Sequence, residues 1–167
     1  DKSFNTVVGS FVTDPETPLV LVIDAASVEA AVRDLVRIGL DRVEAFATPE
    51  TMEKALRQSS ATIPAVDFEA VRDRAEVGAV LDVRRAAEFS AGHVPGATNL
   101  AHTRLAAHLD EVPEGSPLYV HCQSGVRAAV ASAFLAREGY DVRYVDDGFP
   151  HYREIATDVV TETEVTA

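Results

Sequence analysis

Continuous apolar runs alternate along the chain with segments whose apolar positions recur every three or four residues. The first run, at 18–23, is typical of a strand covered on both faces. Helical spacing follows at 28–38, with Ser27 as the candidate N-cap and Gly39 as the stop signal. The same round continues with a predicted strand at 42–46 and a helix at 49–58, capped by Thr48. This strand–helix–strand–helix order predicts a parallel sheet.

A second round of elements begins near residue 62. Its most apolar strands are predicted at 79–83 and 117–121, and a helix is predicted at 127–138. The other predicted elements are a strand at 65–67, helices at 68–74, 86–91 and 103–112, and a last strand at 142–145. We expect an α/β fold with a central, mostly parallel sheet and helices on both faces, plus a partial second α/β unit at the N-terminus. The expected divisions are 1–61, 62–156 and an acidic flexible tail at 157–167.

The two rounds resemble each other in sequence. The segment 35–41 is similar to 135–141, one hundred positions later, and the strands 18–23 and 117–122 match at an offset of 99. The second copy therefore has one extra residue in its strand-to-helix loop, and that copy alone holds a cysteine. Together the two matches indicate a duplication.

Charge and composition narrow the classes of partner. The formal net charge is -12, which disfavours binding to nucleic acid. No apolar run approaches the ~20 residues of a membrane helix, so we expect no membrane partner. The single cysteine excludes an internal disulfide and favours a reducing, cytoplasmic setting. The histidines lack metal-binding spacings, so no metal site is expected, and His102 and His108 are predicted at the surface.

The cysteine, Cys122, is predicted where a buried strand gives way to a helix. Ligands bind at this end of parallel strands, and the unpaired amides and dipole of a helix start favour the reactive thiolate. Gly125 lets the backbone curl into an anion nest, and Arg127 adds a fixed charge. A lone cysteine can instead be a small buried hydrophobe, but loop-type residues follow this one. They are Gln123, Ser124, Gly125 and Val126.

At these residues the chain resembles the rhodanese family of sulfurtransferases. The family's active-site loop matches 121–127. Further matching motifs are Asp82-Val83-Arg84 with Glu88-Phe89, the segment 92–97 with Asn99-Leu100, and the closing segment 145–149. The resemblance covers roughly 62–154. In the closing motif, Asp147 replaces the first of two paired glycines, and Tyr152 stands where a tryptophan often follows.

The resemblance implies a rhodanese-like fold and a two-step sulfur transfer without a metal or cofactor. Cys122 takes a sulfane sulfur from thiosulfate or a low-molecular-weight persulfide, and a thiophilic acceptor such as a thiol then removes it. The loop residues 123–127 would bind the substrate and stabilise the persulfide with their amides. Asp82 and Arg84 are expected to hold loops in place, and His93 to satisfy backbone groups.

Under the same resemblance, residues 1–61 are a partial rhodanese-like unit without a nucleophile. The equivalent position falls at Ile23 or Asp24. Chains similar to this arrangement often carry a metallo-β-lactamase-fold domain of the persulfide dioxygenase type in front, so our hypothesis is that this chain is the C-terminal part of such a fusion. An incomplete first unit would leave strand edges open and favour a homo-oligomer.

Two other functions compete with sulfur transfer. A cysteine phosphatase or arsenate reductase also places Cys and Arg between a strand and a helix, but with five intervening residues. This chain has four, at 123–126, and a shorter loop suits a single sulfur better than a tetrahedral phosphate. The other alternative is a non-catalytic interaction module with the rhodanese fold, against which Cys122, Gly125 and Arg127 are all present.

Overall fold

The computed structural model describes residues 4–57, 61–73 and 78–161. The chain divides into two compact units, unit 1 at 1–62 and unit 2 at 63–167. The predicted ends of two helices, Gln58 and Arg74, lie outside the described residues. No helix in the described ranges combines the length and the apolar character needed to cross a bilayer.

Unit 1 is built on two parallel strands. Its elements are α1 (Phe4–Phe11), β1 (Leu19–Val22), a 3-10 turn (Ala25–Ser27), α2 (Val28–Val36), β2 (Val43–Ala47) and α3 (Pro49–Leu56). The predicted strand–helix–strand–helix order is confirmed, and β1 pairs with β2 in parallel. Thr48 caps α3, since its Oγ1 accepts from the Thr51 amide at 3.3 Å. Helix α1 had no counterpart in the sequence prediction.

The prediction that β1 is covered on both faces is wrong. Alternate residues are exposed, with Val20 at 60% and Val22 at 51%, and Phe46 on β2 is 48% exposed. A continuous apolar run predicts two covered faces because it carries no polar side. In the described part of unit 1 the sheet has two strands only, and one of its faces is open.

Unit 2 contains a five-stranded parallel sheet. Its elements are β3 (Ala65–Val66), α4 (Phe68–Arg72), β4 (Ala79–Asp82), α5 (Ala86–Ser90), β5 (Thr98–Asn99), β6 (Leu118–His121), α6 (Val126–Arg137), β7 (Val142–Val145) and α7 (Phe149–Ile155). The strand order is β3-β7-β6-β4-β5, and every pair is parallel. The sheet packs through fully buried side chains such as Leu81 and Val120. The expected α/β class is confirmed.

The predicted helix at 103–112 is wrong. Two 3-10 turns, Leu105–Ala107 and Leu109–Glu111, occupy this stretch. Between them His108 adopts φ -136 and ψ 46, which is outside the helical region and interrupts the hydrogen-bond ladder. The surface position expected for His102 is also wrong, since it is only 7% exposed. The burial of its ring lowers the pKa of His102, and the Arg127 charge lowers it further.

The predicted acidic tail is paired with the fold over its first residues. His93 and Val160 exchange backbone hydrogen bonds, at 2.9 Å from the His93 amide and 3.1 Å from the Val160 amide. This antiparallel bridge adds hydrogen bonds that a frayed tail lacks. The rest of the predicted tail, 162–167, lies outside the described residues.

The sequence repeat corresponds to a repeated helix ending. Gly39 (φ 82) and Gly139 (φ 95) both follow their helices with positive φ. In each copy the next residue's amide bonds back to a fully buried leucine, to Leu35 O at 3.0 Å and to Leu135 O at 3.1 Å. Each helix joins two parallel neighbouring strands, β1 to β2 and β6 to β7. The two units therefore share a strand–helix–strand arrangement.

Candidate active site

Three parallel strands of unit 2 end at the same edge of the sheet. Asp82 is the last residue of β4, Cys122 directly follows β6, and Asp146 directly follows β7. Strands β4 and β7 both pair with β6, so Asp82 and Asp146 lie at the ends of the two strands on either side of the strand that precedes Cys122. Ligands bind at this edge in open α/β sheets.

The side chain of Cys122 is fully buried, close to the N-terminal turn of α6. Its Sγ accepts a hydrogen bond from the Ala128 amide at 3.4 Å. The donor residue, Ala128, lies one position beyond residues 123–127, whose backbone amides were predicted to stabilise the persulfide. Ala128 is the third residue of α6, so its amide is one of those that a helix leaves unpaired at its N-terminus. The thiol therefore lies against the positive end of a helix.

Gly125 shapes the loop between Cys122 and α6. It is the N-cap residue of α6 with φ 85, a conformation that side chains disfavour. A Cβ at this position would lie 2.9 Å from Tyr144 Oη and 3.5 Å from Asp146 Oδ1. Tyr144 Oη donates to that carboxylate at 2.8 Å. Burial, together with the Asp146 carboxylate, raises the pKa of Tyr144 to about 12, so the phenol keeps its proton.

Arg127 pairs with a residue to which the sequence assigned no role. Its Nη1 and Nη2 donate to the two carboxylate oxygens of Glu88, each at 2.8 Å. The Arg127 hydrogen bonds hold the pKa of Glu88 at about 2, and Glu88 also accepts from the Arg85 amide at the start of α5. Glu88 raises the pKa of Arg127, and so, to a lesser extent, does Cys122. In the sequence, Glu88 was singled out only by its place in the Glu88-Phe89 motif of the family resemblance.

Asp82 and Arg84 form a buried ion pair. Arg84 Nε lies 2.9 and 3.0 Å from the Asp82 oxygens, and neither side chain is more than 2% exposed. Arg84 Nη2 also donates to Gly92 O at 2.8 Å. Asn99 Nδ2 donates to the backbone oxygens of both residues, at 2.9 and 3.0 Å. Arg84 therefore fastens the end of β4 to the turn at Gly92, and Asn99 joins it to β5.

His93 and His121 lie in ordered packing around the site. The His93 ring stacks on Phe89 with centroids 3.7 Å apart, and its Nδ1 is 3.0 Å from Phe89 O. His121 is fully buried, with its ring 5.2 Å from Phe68 and 5.8 Å from Phe149. Its Nε2 is 3.6 Å from Asp82 Oδ2. Both imidazoles thus occupy packed positions, His93 against α5 and His121 beneath the sheet edge.

A cavity of about 380 Å³ opens beside the cysteine loop. Its walls are Arg84, Glu88, Ala91, Gln123, Phe149, Pro150 and Arg153. Of the five loop residues predicted to bind substrate, Gln123 lines this cavity, while Ser124 and Val126 are exposed to solvent. The carbonyl of Gln123 accepts from the Phe149 amide at 3.2 Å. The loop and the start of α7 thus form adjoining walls of one cavity.

Asp147 takes part in a polar cluster on the α7 side of the sheet. Its carboxylate accepts from the Phe68 amide at 3.2 Å, from the Gly148 amide at 2.7 Å and from His151 Nδ1 at 2.7 Å. His151 Nε2 is 3.6 Å from Glu69 Oε1. Glu69, Asp147 and His151 are close enough to bind a metal together, but these hydrogen bonds already occupy the Asp147 oxygens. The cluster therefore links α4 to α7.

Comparison with known proteins gives a match within unit 2. The family model described as a rhodanese-like domain matches residues 66–154. Thiosulfate sulfurtransferase GlpE of Shewanella oneidensis is 33% identical over 76 residues, which is 45% of this chain and 75% of that protein. The protein YqhL of Bacillus subtilis is 35% identical over 60 residues, covering 36% of this chain and 48% of the relative.

Solved structures resemble the same part of the chain. A rhodanese-related protein of Thermoplasma volcanium has a TM-score of 0.55 and 24% identity, and the match covers 59% of this chain and 99% of that one. Reduced CoADR-RHD of Bacillus anthracis has a TM-score of 0.50 and 34% identity, covering 54% of this chain and 16% of that one. The first of these likenesses concerns the fold alone.

Proposed function

The chain belongs to the family of rhodanese-like domains, and from this premise we propose that it transfers a sulfane sulfur through a persulfide on Cys122. The donor is thiosulfate or a low-molecular-weight persulfide, and the acceptor is a thiophile such as a cellular thiol. The main support is the position of the thiol. Its sulfur accepts a hydrogen bond from the Ala128 amide in the first turn of α6, and the next residue along the chain, Gln123, lines the cavity.

In the first step the Cys122 thiolate attacks the outer sulfur of the donor. With thiosulfate, a new S–S bond forms on Cys122, the donor S–S bond breaks, and sulfite leaves with the electron pair. With a persulfide RSSH, attack at the terminal sulfur gives Cys122–SSH and expels RS⁻. Neither route consumes an oxidant or a reductant, because sulfur passes from one thiophile to another.

In the second step the acceptor attacks the terminal sulfur and the Cys122 thiolate leaves. Cyanide leaves as thiocyanate, and a thiol R′SH leaves as R′SSH. The Ala128 amide and the dipole of α6 favour the anion on Cys122 in both steps. Arg127 adds positive charge on the same side, held in place by Glu88. We assign to the backbone amides of residues 123–127 the role of stabilising the added sulfur of the persulfide.

Mass spectrometry after treatment with thiosulfate tests this proposal. The intact protein gains one sulfur atom, and the sulfur is lost when cyanide is added. Since the chain has a single cysteine, wild-type protein alkylated at that thiol is the matched control and gains nothing. Cys122→Ser keeps the size of the buried side chain and also gains nothing, while its circular dichroism stays that of the wild type.

Two results contradict the proposal. Absence of sulfur loading from thiosulfate and from every persulfide tested would favour the non-catalytic module. Turnover of an aryl phosphate without sulfur loading would favour the phosphatase alternative. The four-residue spacing between Cys122 and Arg127 stands against that second outcome.

For the rest of the protein we propose that unit 1 is a rhodanese-like half without a nucleophile, with Ile23 or Asp24 at the silent position. The shared strand–helix–strand arrangement of the two units supports a common origin. In this proposal the parent protein carries a metallo-β-lactamase-fold domain upstream of unit 1. It acts on small molecules in the cytoplasm. The open strand edges of unit 1 pair between chains and form a homo-oligomer. The upstream gene sequence tests the fusion, and light scattering tests the oligomer.

A further inference from the structure

Two guanidinium groups approach one aromatic ring on the cavity wall. Arg84 Cζ lies 3.8 Å from the centroid of the Phe149 ring, and Arg153 Cζ lies 5.5 Å from it. Each guanidinium also donates to a neighbouring carbonyl, Arg84 to Gly92 O at 2.8 Å and Arg153 to Ala91 O at 2.7 Å. Both arginines are therefore held at the cavity wall by specific contacts.

The charges on the cavity wall are paired, with one exception. Asp82 neutralises Arg84, and Arg127 neutralises Glu88. Arg153 makes no ion pair with any carboxylate of residues 4–57, 61–73 or 78–161, and its guanidinium donates to the Ala91 carbonyl. Counted over the part of the chain that the structure describes, the cavity wall thus carries one positive charge without a carboxylate partner, although the formal net charge of the chain is -12. Such a local excess favours an anion in the cavity.

Gly92 makes room for the Arg153 guanidinium. It has φ 147, a conformation that disfavours side chains, and a Cβ at this position would overlap Arg153 Nη2. The backbone at residues 91 and 92 therefore lies directly against the guanidinium and orients it. An arginine fixed in this way loses little side-chain entropy when it binds an oxyanion.

A second cavity, of about 420 Å³, adjoins the first at Arg153. Its walls are Ala91, Arg153, Ala156, Thr157, Val159 and Thr161, so Ala91 and Arg153 are shared with the cavity beside the loop. A donor longer than thiosulfate has room beyond Arg153 in this second space. The guanidinium lies at the boundary between the two cavities.

We propose that Arg153 is a specificity-determining residue that binds the oxyanion of the sulfur donor, which makes sulfur donors with a sulfonate or a carboxylate the preferred substrates. This inference rests on the proposed sulfur transfer. A guanidinium offers two parallel N–H donors to either oxyanion, so one residue serves both kinds of donor. Arg153 acts on binding and not on the S–S bond.

Steady-state kinetics with three donors tests the role of Arg153. The donors are thiosulfate, glutathione persulfide and 2-hydroxyethyl hydropersulfide, which has neither a sulfonate nor a carboxylate. Arg153→Gln raises KM about tenfold or more for the two donors that carry an oxyanion, with little change in kcat. KM for 2-hydroxyethyl hydropersulfide stays at the wild-type value. Arg153→Lys, which keeps the charge but not the fork, gives an intermediate KM. A loss confined to glutathione persulfide assigns the site to carboxylates, and one confined to thiosulfate assigns it to the sulfonate.

The outcomes separate this inference from the proposed function. If no donor loads sulfur onto the wild-type protein, the proposed function itself fails. If loading occurs but Arg153→Gln changes KM equally for donors with and without an oxyanion, Arg153 is structural and the inference is overturned. A second measurement needs no variant: in the wild type, added salt raises KM more for thiosulfate and glutathione persulfide than for 2-hydroxyethyl hydropersulfide. Equal salt effects on all three donors also overturn it.

Discussion

Arg127 and Glu88 form a two-point ion pair in which each guanidinium nitrogen lies 2.8 Å from its own carboxylate oxygen. The pair joins the start of α6, two residues beyond the bend at Gly125, to the first turn of α5. The side chains are 22% and 31% exposed, so water screens them only partly. This contact fixes the cation that faces Cys122.

We predict that Glu88→Gln destabilises the fold by about 1–2 kcal/mol at neutral pH, because it removes a charged, two-point hydrogen bond. The folded pKa of Glu88 is about 2, below its ordinary value of 4.5. A lowered carboxyl pKa means that the stabilisation is complete above pH 4.5 and lost as pH falls toward 2. Urea denaturation of both proteins across this range measures the difference.

Glu111→Gln is the matched control for that experiment. Glu111 accepts from Arg104 at 3.2 Å and lies 2.8 Å from His108 Nδ1, but the three side chains are 43%, 54% and 38% exposed. Exposed pairs of this kind each contribute under ~1 kcal/mol, so the control variant stays close to the wild type. Equal effects of the two substitutions would contradict a special role for the Glu88 pair.

Gly125→Ala and Gly139→Ala separate two costs of adding a side chain. Both glycines have positive φ, but a Cβ at Gly139 meets nothing within 4 Å, while one at Gly125 lies 2.9 Å from Tyr144 Oη. We expect a loss of about 1–2 kcal/mol for Gly139→Ala from the backbone alone. Gly125→Ala loses more and also slows sulfur loading. Tyr144→Phe restores part of the stability of Gly125→Ala and none of that of Gly139→Ala, as thermal denaturation will measure.

Breaking the buried pair of Asp82 and Arg84 has a large predicted cost. Arg84→Met leaves the Asp82 carboxylate buried without its cation and lowers the free energy of unfolding by about 3–5 kcal/mol. The double variant Asp82→Leu, Arg84→Met loses less than the single one, because no buried charge remains. Urea denaturation gives both values. A double variant less stable than Arg84→Met would show that shape, and not charge, dominates this site.

His151 makes the link between α4 and α7 sensitive to pH. The Asp147 hydrogen bond, with smaller contributions from the charges of Asp147, Glu69 and Glu154, raises the pKa of His151 above 6.5. A raised histidine pKa stabilises the fold fully below pH 6.5, and this stabilisation is lost as pH rises through the folded value. Substitution by Gln should therefore lower Tm more in weak acid than in alkali. Asp147→Asn should remove most of this pH dependence, whereas an unchanged dependence would contradict the assignment.

Several features of the fold followed from the sequence because they depend on local pattern. The apolar runs at 79–83 and 117–121 correspond to β4 and β6, because a continuous apolar run suits a strand that is covered on both faces. The helix stop at Gly39 followed from the freedom of glycine to take positive φ. The prediction of a helix at 103–112 was wrong. The sequence of this stretch suits a helix, but the backbone at His108 lies outside the helical region.

The candidate site was only partly visible in the sequence. Cys122, Gly125 and Arg127 follow one another along the chain, so their chemistry could be read directly. Glu88 lies 39 residues before Arg127, and no local pattern indicates that the two side chains meet. Arg153 and Gly92 are likewise brought together by α7 and the turn after α5. Long-range contacts of this kind are not encoded in any short window.

By itself the sequence determined the parallel α/β framework and the place of the cysteine at the end of a strand, because periodicity and loop chemistry act over neighbouring residues. The tertiary structure alone decided the electrostatics of the candidate site. It brought Glu88 to Arg127, left Arg153 without a carboxylate partner among the described residues, and aimed the Ala128 amide at Sγ. The physical reason is that charges and hydrogen bonds act through space, and which groups become neighbours is fixed only when the strands have been ordered into a sheet.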